Sequence, residues 1–190
     1  MRKTMLIRPL QIKDIFTISR MYLSLSEEDR RVFHPCPFCL WKVVLIVTFL
    51  SISPMVSKFI RVVFPKAAFL PLIAIDATTS RHAGIAYLQM RGRCPDDRYI
   101  ATLGIVVSDK YKNKGIGSQL MTSLINQAYE NSVDKIVLTV LADNKPAIRL
   151  YQKHGFNLIN TVSNREFWDG RFYPHHEMEL ILNKDRGHQV

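Results

Sequence analysis

Cysteine is scarce in this chain, with three among 190 residues, Cys36, Cys39 and Cys94. Three thiols cannot pair off completely, and no signal-peptide pattern precedes them, so the sequence reads as that of a largely reduced, cytoplasmic protein. Partners for the Cys36-Pro37-Phe38-Cys39 run are missing too. With His34 beside it the run has the look of a zinc or redox motif. A closed zinc site takes four ligands, usually from two paired clusters, and no second Cys/His pair at finger spacing follows. Cys36 and Cys39 are therefore expected to be buried or incidental thiols, and no metal is expected. His175 and His176, near Glu177 and Glu179, do not alter this, because neighbouring residues on a strand point to opposite faces.

A long hydrophobic run is also absent. The greasiest stretch lies between Lys42 and Lys58, where Val43 to Ser57 are fifteen uncharged residues interrupted by Thr48, Ser51, Ser53 and Pro54. A spanning helix needs about 20 consecutive apolar residues, so no membrane span is expected. Residues 33–66 read instead as an apolar helical elaboration, kinked or broken at Pro54 and buried or lining a groove. Acidic charge is short: 16 Asp and Glu face 26 Lys and Arg, for a net charge of +10 and a pI near 9.7. Such an excess attracts anions, but no base-reading motif accompanies it, so a nucleic-acid partner is not expected. The length suits one domain over 1–190, with a frayed tail over 183–190.

What the chain does have is a strand that runs into a basic, glycine-bearing loop and then a helix. Tyr99 to Val107 is apolar and β-prone, and Lys112-Asn113-Lys114-Gly115-Ile116-Gly117-Ser118 follows. Glycine lets the backbone turn tightly and bring several N–H groups and a helix N-terminus toward a phosphate. The spacing matches neither G-x-G-x-x-G nor the Walker loop, which demotes both nucleotide readings. Beyond the loop, Ile116, Leu120, Leu124, Met121, Ile125 and Ala128 form one apolar stripe of a helix ending near Asn131. Lys135 to Leu141 reads as a strand covered on both faces, because nearly all its residues are apolar. Strand, loop, helix and strand make a parallel crossover.

Upstream, Thr4 to Pro9 suits a short strand and Gln11 to Ser24 an amphipathic helix, while Ala67 to Asp76 and His82 to Met90 read as antiparallel strands around a polar turn. Downstream, Asn144-Lys145-Pro146-Ala147-Ile148-Arg149-Leu150-Tyr151-Gln152-Lys153-His154-Gly155-Phe156 predicts a helix of about three turns. Asn144 caps it, Pro146 sits in its first turn, and Gly155 ends it with a positive φ. Asn157 to Val162 and Phe172 to Leu182 then suit two strands joined by a turn at Asp169-Gly170. His154 reads as solvated or as a partner of the helix dipole.

The loop resembles the acetyl-CoA loop of the GNAT N-acetyltransferase superfamily, [R/Q]-x-x-G-x-[G/A], with Lys112 in place of the usual Arg or Gln. The later run, N-x-x-A-x-x-L-Y-x-K-x-G-F, is similar to that family's second signature and begins 27 residues after Gly117. The resemblance implies an α/β fold of GNAT type, a mixed, largely antiparallel sheet with helices on both faces, splayed open between the strand ending at Val107 and the strand at Lys135–Leu141. It implies acetyl-CoA as cosubstrate. Ile105, Val106 and Val107 would hold the pantetheine arm, Lys112, Asn113, Lys114, Gly115, Ile116, Gly117 and Ser118 the pyrophosphate, and Asn144 would touch the arm or merely cap its helix. The implied reaction is direct attack of a primary amine, from a small molecule or a protein N-terminus, in a ternary complex. Tyr151 would protonate the departing sulfur, or else serve as a core aromatic. Tyr99, Asp97, Glu177 and His176 are candidates for the base. A catalytically idle CoA-binding module and a membrane-associated protein using residues 43–57 are the rival readings, and homodimerisation is left open.

Overall fold

Alternating apolar residues in the first half of the chain produce a run of antiparallel strands whose two faces are both greasy. In the computed structural model, which describes residues 5–14, 69–93, 99–166 and 170–182, these are β1 (Met5–Pro9), β2 (Phe69–Asp76), β3 (Arg81–Arg93) and β4 (Tyr99–Val107). Helix α1 (Ile116–Glu130), strand β5 (Lys135–Leu141), helix α2 (Lys145–Lys153) and strands β6 (Asn157–Glu166) and β7 (Phe172–Ile181) follow. The seven described strands form one mixed sheet in the order β1-β2-β3-β4-β5-β7-β6. Every pairing is antiparallel except β4 with β5.

The period of two sorts the core into two layers. On one face, Leu70, Leu72 and Ala74 of β2, Ala86 and Leu88 of β3, and Ala101 and Leu103 of β4 meet the stripe of α1, where Ile116, Leu120, Met121, Leu124 and Ala128 are all buried. On the opposite face, Ile73, Ile85 and Val106 form a smaller cluster that Tyr87 packs against. Strand β3 therefore packs on both of its faces.

Strand β5 departs from its expectation. Its apolar run predicts cover on both faces, yet only Ile136, Leu138 and Val140 are fully buried, Val137 and Leu141 are partly so and Thr139 is exposed. The neighbour explains this. Val137 lies opposite Glu179 of β7, and Glu179 pairs with Lys135 at 3.1 Å, so that face carries charge.

One end of the β4–β5 pair is tied down. The Asp134 carboxylate accepts the Tyr99 N–H at 2.8 Å, its own N–H donates to the Tyr99 carbonyl at 2.9 Å, and its carbonyl accepts the Leu182 N–H at 2.9 Å. The other end is where the strands part. Near β1, Asp14 of a 3₁₀ turn (Ile12–Asp14) is buried and takes two hydrogen bonds from Arg8, at 2.7 and 2.8 Å, and one from the Gln11 N–H at 2.8 Å. Burial alone would raise the pKa of this carboxyl; the guanidinium and the amide outweigh it and hold it below the usual value.

Most of the helix expected over Gln11 to Ser24 lies outside the described residues, as do the 33–66 elaboration with Val43–Ser57, Cys36, Cys39, Cys94, Asp97 and the 183–190 tail. No described helix is long and apolar enough to cross a membrane.

Candidate functional site

Strands β4 and β5 are paired only at Ile100 to Thr102 against Lys135 to Val137. From Leu103 onward β4 stays bonded to β3 on its other side, so the backbone edge that faced β5 is left without a strand partner. Backbone groups in that position readily accept another extended chain. The split opens a cleft of about 840 Å³, walled by the ends of β4 and β5, the loop before α1, the start of α1, helix α2 and Tyr173 of β7. That volume falls in the range of sites for small molecules.

Of the residues the sequence nominated, Ile105, Val106, Val107, Lys112, Asn113, Gly115, Ile116, Gly117, Ser118, Asn144 and Tyr151 all line this cleft. Lys114 is the exception. Its ammonium donates to the Lys110 carbonyl and lies 5.4 Å from the centre of the Tyr111 ring. Lys112 reaches the cleft but pairs with Asp109 at 2.7 Å, so part of its charge is already matched.

The loop is shaped by two left-handed residues, Asn113 at φ 59° and Gly115 at φ 76°. Asparagine tolerates that region better than most residues, and glycine enters it without cost. A β-carbon on Gly115 would meet nothing within 4 Å, so the loop backbone is open at that point. Its base is bolted in place: Tyr111 is buried and its hydroxyl donates to the fully buried Asp76 carboxylate at 3.2 Å, while the Ser108 N–H donates to the Ala83 carbonyl at 2.9 Å.

Helix α2 forms as its caps foretold. Asn144 accepts the Ala147 N–H at 3.2 Å, and Gly155 leaves the helix at φ 87°. Tyr151 is only 7% exposed, and its ring stands 5.8 Å from that of Phe156 at 57°. Burial first, and Tyr87 second, push its hydroxyl well above the usual phenol pKa, so it stays protonated.

His154, read as solvated or as a partner of the helix dipole, is half-buried at the C-cap of α2. Its Nε2 lies 2.7 Å from Ser118 Oγ, tying the end of α2 to the first turn of α1. Burial, and then Lys153, lower its pKa.

The candidates for a base are not gathered here. Tyr99 sits at the tied end of β4, roughly 25 Å of extended chain from Val107 at about 3.3 Å per residue. Glu177 accepts from Asn160 at 3.2 Å and His176 Nδ1 lies 3.0 Å from Thr161 Oγ1, and neither lines the cleft. Sequence reasoning missed Tyr111, Asp143, Arg149, Lys153 and Tyr173, which do. Arg149 and Lys153 had a signal, since they are four residues apart on α2 and share a face; Tyr173 had none. Among the described residues no cluster of His, Cys, Asp or Glu could hold a metal.

Residues 64–156 match the model of the acetyltransferase (GNAT) family. The chain is 36% identical over 89 residues to an L-amino acid N-acetyltransferase of Escherichia coli, which covers 46% of this chain and 54% of that enzyme. It is 32% identical over 93 residues to N-alpha-acetyltransferase 30 of Xenopus laevis, covering 49% of this chain and 32% of that one. The chain thus spans about half the length of the first relative and a third of the second. Among solved structures, an acetyltransferase of the GNAT family from Streptococcus pneumoniae superposes with a TM-score of 0.71 at 22% identity, over 94% of this chain and 100% of that one. A phosphinothricin acetyltransferase from Sinorhizobium meliloti, in complex with acetyl-CoA, superposes with a TM-score of 0.72 at 18% identity, over 98% and 92%.

Proposed function

Because residues 64–156 match the model of the acetyltransferase (GNAT) family, we propose that this chain is an N-acetyltransferase of that family, moving an acetyl group from acetyl-CoA to a primary amine by direct attack within a ternary complex. One observation carries the reading: the β4–β5 split, the glycine loop at the start of α1 and the buried Tyr151 all open on the same cleft. The residues suit the cosubstrate in its parts. The free edge of Ile105 to Val107 takes the amide-bearing arm as a neighbouring strand would. The loop from Lys112 to Ser118 receives the pyrophosphate on backbone N–H groups and the helix N-terminus.

In the transfer, the amine nitrogen bonds to the acetyl carbon and the carbon–sulfur bond breaks. Tyr151, held neutral by burial, gives its proton to the departing sulfur, whose thiol has a pKa near the roughly 8.5 of cysteine. An N–H of the Ile105–Val106 backbone serves the developing oxyanion. The proton lost by the amine leaves through water or through a base on residues outside the described set. The scarcity of cysteine suits a reducing cytoplasm as the setting.

The test is incubation of the purified protein with acetyl-CoA and an amine panel that includes free L-amino acids, the acceptor named for one relative, and short peptides with free N-termini. CoA release with a matching acetylated product supports the proposal. CoA binding without transfer to any amine would instead make the protein an idle binding module.

Gly117→Val provides a narrower check of the loop. A β-carbon at Gly117 would lie 3.2 Å from Leu150 Cδ2, so the leucine end must give by a few tenths of an ångström, and the valine methyls take up room at the cleft wall. The expected result is CoA affinity weaker by about tenfold, equal to roughly 1.4 kcal/mol, in calorimetry. Unchanged affinity would take the loop out of its assigned role.

A further inference from the structure

Helix α2 carries its positive charge in one line. Lys145, Arg149 and Lys153 stand four residues apart, and no acid lies among residues 145–153. The positions three and four residues from Arg149 hold Pro146, Gln152 and the two lysines, so the ion pair that usually supports an exposed helical arginine is not open to it. Like charges at that spacing weaken a helix instead of supporting it. Among the described residues neither Arg149 nor Lys153 has a hydrogen bond or an ion pair, and both line the cleft, whereas Lys145 does not.

The contacts of α2 set where these two cations point. Leu150 and His154 face the first turn of α1: a β-carbon at Gly117 would lie 3.2 Å from Leu150 Cδ2, and His154 Nε2 lies 2.7 Å from Ser118 Oγ. Arg149 and Lys153 each precede one of these by a single residue, about 100° around the helix, which turns them from α1 onto the cleft wall. They are one turn apart, near enough for two long side chains to converge on one anion. The loop's own cations are already engaged, Lys112 with Asp109 at 2.7 Å and Lys114 with the Lys110 carbonyl. Asp143, the one acid among the described lining residues, precedes the first turn of α2, six residues before Arg149.

We propose that Arg149 and Lys153 form a subsite for the phosphate monoester on the cosubstrate's ribose, and so make the protein prefer CoA to 3′-dephospho-CoA. This rests on the acetyl-transfer reading, which lays the pyrophosphate on residues 112–118. The 3′-phosphate hangs from the ribose joined to that pyrophosphate, so it emerges within reach of the wall that α2 builds beside the loop. A phosphate monoester carries about −1.5 to −2 charge at neutral pH, which two cations answer. The guanidinium can hold two of its oxygens at once, while the ammonium supplies a point charge.

Calorimetry with CoA and with 3′-dephospho-CoA measures the subsite in the parental protein, Arg149→Ala, Lys153→Ala, the double variant and Lys145→Ala. All three side chains are exposed, so folding is not at stake. The parental protein should bind CoA at least about tenfold more tightly than 3′-dephospho-CoA, the low end of what hydrogen bonds to charged groups are worth. Each single change at Arg149 or Lys153 should shrink that ratio. The double variant should bring it to within about twofold of unity, by weakening CoA and leaving 3′-dephospho-CoA where it was. Lys145→Ala, on the same line but off the wall, should keep the parental ratio. An equal fall in Lys145→Ala would make the effect one of overall charge and overturn the subsite. A parental ratio near unity, or an unchanged ratio in the double variant, would also overturn it while leaving transfer from acetyl-CoA intact. A parental protein that binds neither compound and transfers no acetyl overturns both readings.

Discussion

Tyr151→Phe should lower turnover by about 10²–10⁴, the usual worth of a positioned general acid, while CoA affinity stays within roughly threefold. The substitution removes one oxygen and leaves the ring against Phe156, so folding and the shape of the cleft are preserved. The loss belongs in kcat rather than in KM, because the hydroxyl is needed as the sulfur departs and not as the cosubstrate binds. The pH profile adds a second reading. Burial and Tyr87 raise the Tyr151 pKa above the usual phenol value, so the donor keeps its proton through neutral and mildly alkaline conditions. The rise of rate with pH then belongs to the acceptor amine losing its proton, and that limb should survive in the Phe variant at lower amplitude. A raised phenol pKa also means that the stability tied to this group is complete below about pH 10 and is lost as pH climbs toward the folded value. Steady-state kinetics under conditions where chemistry limits the rate decide the matter. Parental turnover in the Phe variant would make Tyr151 a packing residue.

Phe156→Ala should cost about 3–5 kcal/mol of folding stability, the range for emptying a buried aromatic site. Phe156 is 2% exposed and sits where α2 hands over to β6, its N–H donating to the Tyr151 carbonyl at 3.1 Å. Removing the ring leaves a void next to Tyr151 that the surrounding sheet closes only in part. For a chain of this size the melting temperature should fall by roughly 6–20 °C. Phe156→Leu, which keeps most of the volume, should cost less than about 1.5 kcal/mol. Thermal melts of the two variants beside the parental protein separate these outcomes. A Phe156→Ala protein that melts with the parent would show that the motif's phenylalanine anchors nothing.

Much of the scaffold was legible because its causes are local. Strand β4 at Tyr99–Val107 and β5 at Lys135–Leu141 appear at the bounds the apolar runs suggested. Asn144 caps α2, Gly155 ends it, and the stripe from Ile116 to Ala128 is the face that α1 buries. Each of these depends on neighbours within one or two turns: a side chain that can reach an N–H, a φ that only glycine takes freely, a periodicity of 3.6. Most residues of the loop and several of the second motif line one cleft. Lys114 is not among the lining residues, since loop composition shows charge but not direction, and its ammonium lies over the Tyr111 ring.

By itself, then, the sequence determined which described segments are strand and helix, where the glycine-bearing loop lies and that Tyr151 sits on a buried helix face. Tertiary structure alone decided what those pieces meet. Ser118 and His154 are 36 residues apart in the chain and 2.7 Å apart in space, and Tyr111 and Asp76 are separated by 35 residues yet share a hydrogen bond that seats the loop. No periodicity announces such pairs. The same holds for Tyr87, whose place over Gly104 exists only because β3 and β4 align in that register, and for β5, whose outer face is polar because Glu179 was brought beside Val137. A residue's own chemistry sets what it can do, but strand register and the direction in which two strands part set which partner it reaches, and those are properties of the assembled sheet.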